Sequence, residues 1–271
     1  MNQIEDLFEE YRQMTDEASR KALYHQIDSI SYEASKYAIP NEYDKLMSAI
    51  GANGTNAYTS FDETVYVEDI PSNEMEIWAK IQSDRFQNAV IRGFHTELET
   101  VYEEKNMSLT KDGRKMLEAI LSSLYPDYPY GTQTVLGTQD HLKNPSIKKI
   151  KEYYNTWYVP NNIAICMSGD LDPDKTIAII QKYFGSMPAN PSLPARPEPK
   201  ENPLTAPVVK EVIGLDAENV ALAWRLPSDT KSDLLLTLVN EVMNNGKAGL
   251  MDVDLLQSQR ILYLSLIHIS E

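Results

Sequence analysis

The chain is expected to fold as an α+β protein, a mostly antiparallel sheet covered by helices. Apolar residues recur at helical spacing over most of its length, whereas only a few short runs alternate or are rich in β-branched residues. Those runs do not alternate regularly with the helices. The order reads helices, strands, helices, strand, helix, which fits an antiparallel layer better than a doubly wound parallel sheet. With 271 residues and 42% hydrophobic content, the chain can bury one full core and part of another.

Each element has its own signal. From Asn2 to about Lys36, the residues Ile4, Leu7, Phe8, Tyr11 and Met14, then Leu23, Ile27, Ile30 and Ala34, mark one or two amphipathic helices. Asn41–Ile50 offers a further short helix, which the glycines and asparagines of GANGTN interrupt. Thr64–Ile70 alternates as a strand should. Ile77, Trp78, Ile81 and Phe86 place a helix over Glu74–Phe86, with Asn73 as its cap. Helices follow at Phe94–Met107 and Met116–Leu124, where Tyr125 and Pro126 stop the second; PDYPYGTQTVLGT is then a loop. Ser146 opens a helix through Tyr158, Asn162–Ser168 reads as a strand, and Pro173 opens a helix ending at Gly185. Seven of the fifteen prolines lie between Pro188 and Pro207, marking a linker or surface crossing. Beyond it Val208–Ile213 and Val220–Trp224 read as strands and Ser232–Met243 as a helix.

Composition narrows the function. A formal charge of −15 with no clustered Lys and Arg argues against a nucleic-acid partner. No stretch is long and apolar enough for a membrane span, and no signal peptide is visible. The single cysteine, Cys166, excludes an internal disulfide, and its apolar run IAICM reads as a buried strand. His95 and His141 read as surface or capping histidines, and Trp157, Tyr158 and Trp224 as core or interface aromatics.

The most informative stretch is FHTELETVYEEKNM. It puts Glu97 and Glu104 seven residues apart, on one helix face and about 10 Å apart along the axis. Glu103 projects about 100° away from Glu104. Spacing alone also suits a plain acidic helix face, and NAYTS alone suits an ordinary turn-to-strand segment. Taken together with GTNAYTSFDETVY upstream and WYVPNNIAICMSGDLDP downstream, however, the stretch resembles the insulinase/pitrilysin family of zinc metallopeptidases.

The resemblance covers roughly Lys45 to Arg260 and carries definite implications. Glu104 would be the third zinc ligand, and Glu97 the acidic catalytic partner supporting the site. Asn56, Ala57, Tyr58 and Thr59 would form an edge strand beside which an extended peptide substrate lies, gripped through main-chain bonds. Zinc, one ion in the intact protein, would lower the pKa of its bound water and polarise the scissile carbonyl. The family's inverted His-x-x-Glu-His helix is not found: the four histidines are His25, His95, His141 and His268. The expectation is therefore an inactive fragment of a zinc endopeptidase, truncated before Met1, poorly able to bind zinc, and poorly soluble or only partly folded. The alternative is a non-catalytic family member serving as a substrate-binding or structural partner subunit.

In domain terms, 1–187 would be an incomplete N-terminal peptidase domain, 188–207 a linker, and 208–263 the start of a second, homologous domain. That second half, on this chain or on a partner subunit, would close over the peptide. Residues 264–271, LSLIHISE, match the translation of a sequencing-library adapter and are expected to be an artefact. The residues fix no compartment; a bacterial periplasm or cell envelope is the expectation.

Overall fold

The computed structural model describes residues 2–196, 201–226 and 229–264. The adapter-like tail beyond Leu264 and part of the proline-rich segment lie outside the described residues. The chain forms two compact units, Met1–Asp216 and Ala217–Glu271.

The first unit opens with α1 (Asn2–Gln13) and α2 (Glu17–Ser35), so the periodic N-terminal stretch is two helices. Asp16 separates them, its carboxylate accepting the Ser19 N–H at 2.8 Å and so capping α2. Their apolar stripes meet in a core of Ile4, Phe8, Leu23 and Ile27, completed by Ile147 of α9 (Ile147–Trp157). Phe94 and Leu98 of α5 (Phe94–Leu109) pack against this core. Burial of each such side chain stabilises the fold by about 1.5–3 kcal/mol.

After α3 (Glu42–Ala49), strands β1 (Asn53–Thr59) and β2 (Thr64–Asp69) form an antiparallel hairpin. Asn56, Ala57, Tyr58 and Thr59 stand opposite Val67, Tyr66, Val65 and Thr64. The register slips by one residue between Asn53 and Asn56, a bulge at which Gly54 takes a φ of +61° that a side chain would resist. Glu68 anchors the hairpin. Its carboxylate accepts from the Tyr43 hydroxyl of α3 and from the Trp78 indole and Gln82 amide of α4 (Met75–Gln87). Helix α4 follows a 3₁₀ turn, Ser72–Glu74, and the expected cap fails: the Asn73 amide donates to Glu74 instead.

Helices α6 (Asp112–Leu124), α7 (Pro129–Thr132), α8 (Gln139–Lys143) and α10 (Pro173–Phe184) complete the unit. The PDYPYGTQTVLGT loop thus contains one helical turn. Ser146 and Asp172 cap α9 and α10 through their side chains. His141 closes a reciprocal cap with Thr138, as a capping histidine should.

The sheet departs from expectation. Among the described residues it has only two strands, and Asn162–Ser168, Val208–Ile213 and Val220–Trp224 form none. Ile163 is extended, with φ −120° and ψ 134°, so the backbone follows the β-branched composition. A ladder needs a second chain segment alongside, and none of these three runs has one among the described residues. Their side chains consequently face water: Val209 is 88% exposed, and Cys166, expected to be buried, is exposed as well.

The second unit holds α11 (Thr230–Met243), capped by the Asp229 carboxylate, and a six-residue π-helical segment, Asp252–Gln257. Buried Asp252 closes the intervening turn by accepting from Asn244, Asn245 and Gly249. Trp224 is exposed rather than packed in a core.

Candidate active site

Helix α5 carries the two carboxylates singled out by sequence. It starts after Gly93, whose φ of +64° lets the chain turn into the helix. The helix turns its apolar side toward α2 and the core, leaving Glu97, Glu103 and Glu104 exposed. Seven residues of helix bring Glu97 and Glu104 back to one face, with Glu103 on another. Glu97 also lies in the first turn, where the helix dipole favours a negative charge.

The other candidate group, Asn56 to Thr59, lies on β1, which is exposed along its whole length. Its only strand partner among the described residues is β2, so its opposite edge is open to a further strand, although the Ala57 N–H already donates to the Asn56 side chain at 2.8 Å. Hairpin and helix belong to different layers. β1 packs on α3, whereas α5 packs on α2, α6 and α8. No hydrogen bond or ion pair joins Glu97 or Glu104 to the hairpin among the described residues.

Residues that the sequence reading passed over surround this helix. Lys105, only 4% exposed, donates to Glu118 of α6 at 3.2 Å, and the same Oε1 accepts from Arg114 Nε at 3.2 Å. Lys105 lies seven residues after Leu98 and four after Val101, so a lysine on the apolar stripe was the available signal. Arg114 and Glu118 line a cavity of about 370 Å³ with Phe61, Leu117, Leu121 and Tyr130. At its hairpin end the Tyr130 hydroxyl donates to Asp62 at 2.6 Å, and Arg196 pairs with the same carboxylate.

His95 is not the surface residue expected. It is buried against Phe8 and Tyr24, with Asp28 Oδ1 3.4 Å from Nε2. Tyr24 donates to Glu99 at 3.0 Å, and burial, reinforced by that carboxylate, pushes its phenol above the ordinary tyrosine range.

A catalytic zinc needs three protein ligands and an open position. Among the described residues, no group of three or more His, Cys, Asp or Glu side chains could hold a metal. Glu104 is one hard oxygen donor without imidazoles beside it, so the donor set here does not fit a complete zinc site.

Comparison with known proteins places this geometry in context. A family model described as the peptidase M16 inactive domain matches residues 146–263, beginning after α5. The zinc protease PqqE of Helicobacter pylori is 25% identical over 253 residues, covering 89% of this chain and 56% of the relative. The chain therefore spans about half that relative's length. A crystal structure of a protease from Helicobacter pylori superposes with a TM-score of 0.62 at 20% identity, over 81% of this chain and 54% of that one. The first half of the periplasmic protease PqqL from Escherichia coli gives 0.53 at 23% identity, over 59% of this chain and 36% of that one.

Proposed function

The chain belongs to the insulinase/pitrilysin family of peptidases, and from that premise we propose that it is part of a zinc-dependent endopeptidase. Glu104 supplies one metal-binding carboxylate, and Glu97, on the same helix face, is the acidic group supporting it. The observation that carries this reading is the exposure of both carboxylates on one face of α5, in a chain whose relatives include a named zinc protease. The remaining donors come from outside the described residues, and the described chain alone is inactive.

Substrate binding belongs to the hairpin. A peptide lies along the free edge of β1 at Asn56, Ala57, Tyr58 and Thr59 as an added strand, held by main-chain bonds that require no particular sequence. Residues 1–187 and 208–263 then belong to two homologous domains joined by the proline-rich stretch, and the halves enclose the peptide. A bacterial periplasm suits the reading, because the similar Escherichia coli protease is described as periplasmic.

A second reading, a non-catalytic partner subunit, draws support from the match to an inactive-domain model; among the described residues no group of three or more His, Cys, Asp or Glu side chains could hold a metal. The nucleotides upstream of Met1 discriminate. An in-frame His-x-x-Glu-His helix supports the peptidase, and a stop codon with a ribosome-binding site supports the partner. In the longest open frame containing this chain, Glu104→Gln abolishes zinc binding and peptide hydrolysis, whereas Glu103→Gln leaves both in place.

A further inference from the structure

The cavity between α6 and the α7 turn is lined by one cation, Arg114, and one anion, Glu118, which pair with each other. Lys105 Nζ and Arg114 Nε converge on a single carboxylate oxygen of Glu118. Two cations share that one anion: Lys105 reaches it from outside the cavity lining and is too deeply buried for water to disperse its charge. Arg114 uses only Nε. No acceptor among the described residues takes its Nη1 or Nη2 groups, although Arg114 lines the cavity. The neighbouring acids are committed elsewhere: Asp112 to Lys115, and Asp62 to Arg196 and Tyr130.

A planar guanidinium with its fork open matches a carboxylate, which can accept two parallel N–H bonds. Leu117, Leu121, Phe61 and Tyr130 supply apolar walls for the carbon stem that would carry such a group. Phe61, two residues past the end of β1 at Thr59, lines the cavity, so the turn of the hairpin borders it.

We propose that this cavity binds a carboxylate of the peptide, an acidic side chain or the C-terminal carboxyl group, making acidic peptides the preferred substrate class. The proposal rests on the reading of β1 as the substrate-binding edge. The overall charge of −15 opposes any long-range attraction of acidic peptides, so the preference has to come from contact at Arg114.

The test uses four fluorescein-labelled peptides of one extended sequence, with central Glu or Gln and with a free or amidated C-terminus. Each is titrated with the 271-residue chain and followed by fluorescence anisotropy; adhesion that ignores charge is common to all four. The carboxylate-bearing peptides are expected to bind about tenfold tighter than the amidated Gln peptide, the margin of a good charge-assisted contact. A gain that follows Glu identifies a side chain, and one that follows the free terminus identifies the terminal carboxyl. Arg114→Ala erases the gain and Arg114→Lys keeps part of it. If Arg114→Ala loses helical circular dichroism, the comparison of peptides on the unaltered chain decides alone. Equal binding of all four overturns the carboxylate proposal and leaves the strand-addition reading intact; no binding by any of them overturns both.

Discussion

Lys105 occupies a position where helical spacing calls for an apolar side chain, and the fold accommodates it by pairing. Glu118 holds both Lys105 and Arg114, so the two ends of this interaction are not equivalent. Removing Glu118 strands a buried ammonium, whereas removing Lys105 leaves Glu118 partly exposed and still paired with Arg114. Glu118→Ala is therefore expected to lower stability by about 3 kcal/mol, and Lys105→Met by less than about 1 kcal/mol. Urea melts of the two variants check this asymmetry; equal losses would show that burial of the lysine charge is not what Glu118 offsets. Residue-level reading of the sequence was strongest for position along a helix. Glu97 and Glu104 lie on one open face as their spacing implied. It was weakest at buried polar groups: His95 and Lys105 look like surface residues in composition, and only their three-dimensional neighbours bury them.

At the level of elements, the helices were legible because each carries its own evidence. A periodic apolar stripe and a side-chain cap such as Ser146 or Asp172 are local properties, and the helices start where those residues stand. Strands are not local. The β1–β2 hairpin forms because its partner lies a few residues away, whereas Asn162–Ser168 and Val208–Ile213 carry strand composition with no pairing segment among the described residues. The hairpin's attachment to α3 and α4 passes through Glu68 and Tyr43. Burial chiefly, with the Glu68 hydrogen bond, pushes the Tyr43 phenol up to about 12. The unfolded chain ionises that phenol near its ordinary value of 10.0. Its contribution is thus fully present below pH 10 and is lost as pH rises toward 12, because the unfolded state releases the proton first. Thermal melts from pH 9 to 12 are expected to fall more steeply for the wild type than for Tyr43→Phe. Parallel decline of both would remove Tyr43 from the explanation.

For the whole molecule, the dominant feature is apolar surface in runs rather than as scattered side chains. Val209, Ile213, Leu215, Val220, Leu222 and Trp224 are all more than two-thirds exposed, and α11 adds exposed Leu234 and Leu238. Runs of exposed apolar side chains of that kind, in each unit separately, mark places normally covered by protein. The isolated chain is expected to bind anilinonaphthalene sulfonate strongly and to associate as concentration rises. A monodisperse sample with little dye binding and a sharp melting transition would contradict this. The family resemblance is carried by residues, whereas a sheet layer requires every strand that builds it, and two strands pair among the described residues.

Zinc stoichiometry in the protein expressed from the longest open frame containing this chain tests the central assignment most directly. One zinc per chain, lost in Glu104→Gln and retained in Glu103→Gln, is the predicted result. Zinc retained in Glu104→Gln, or absent from the unaltered protein, would contradict it.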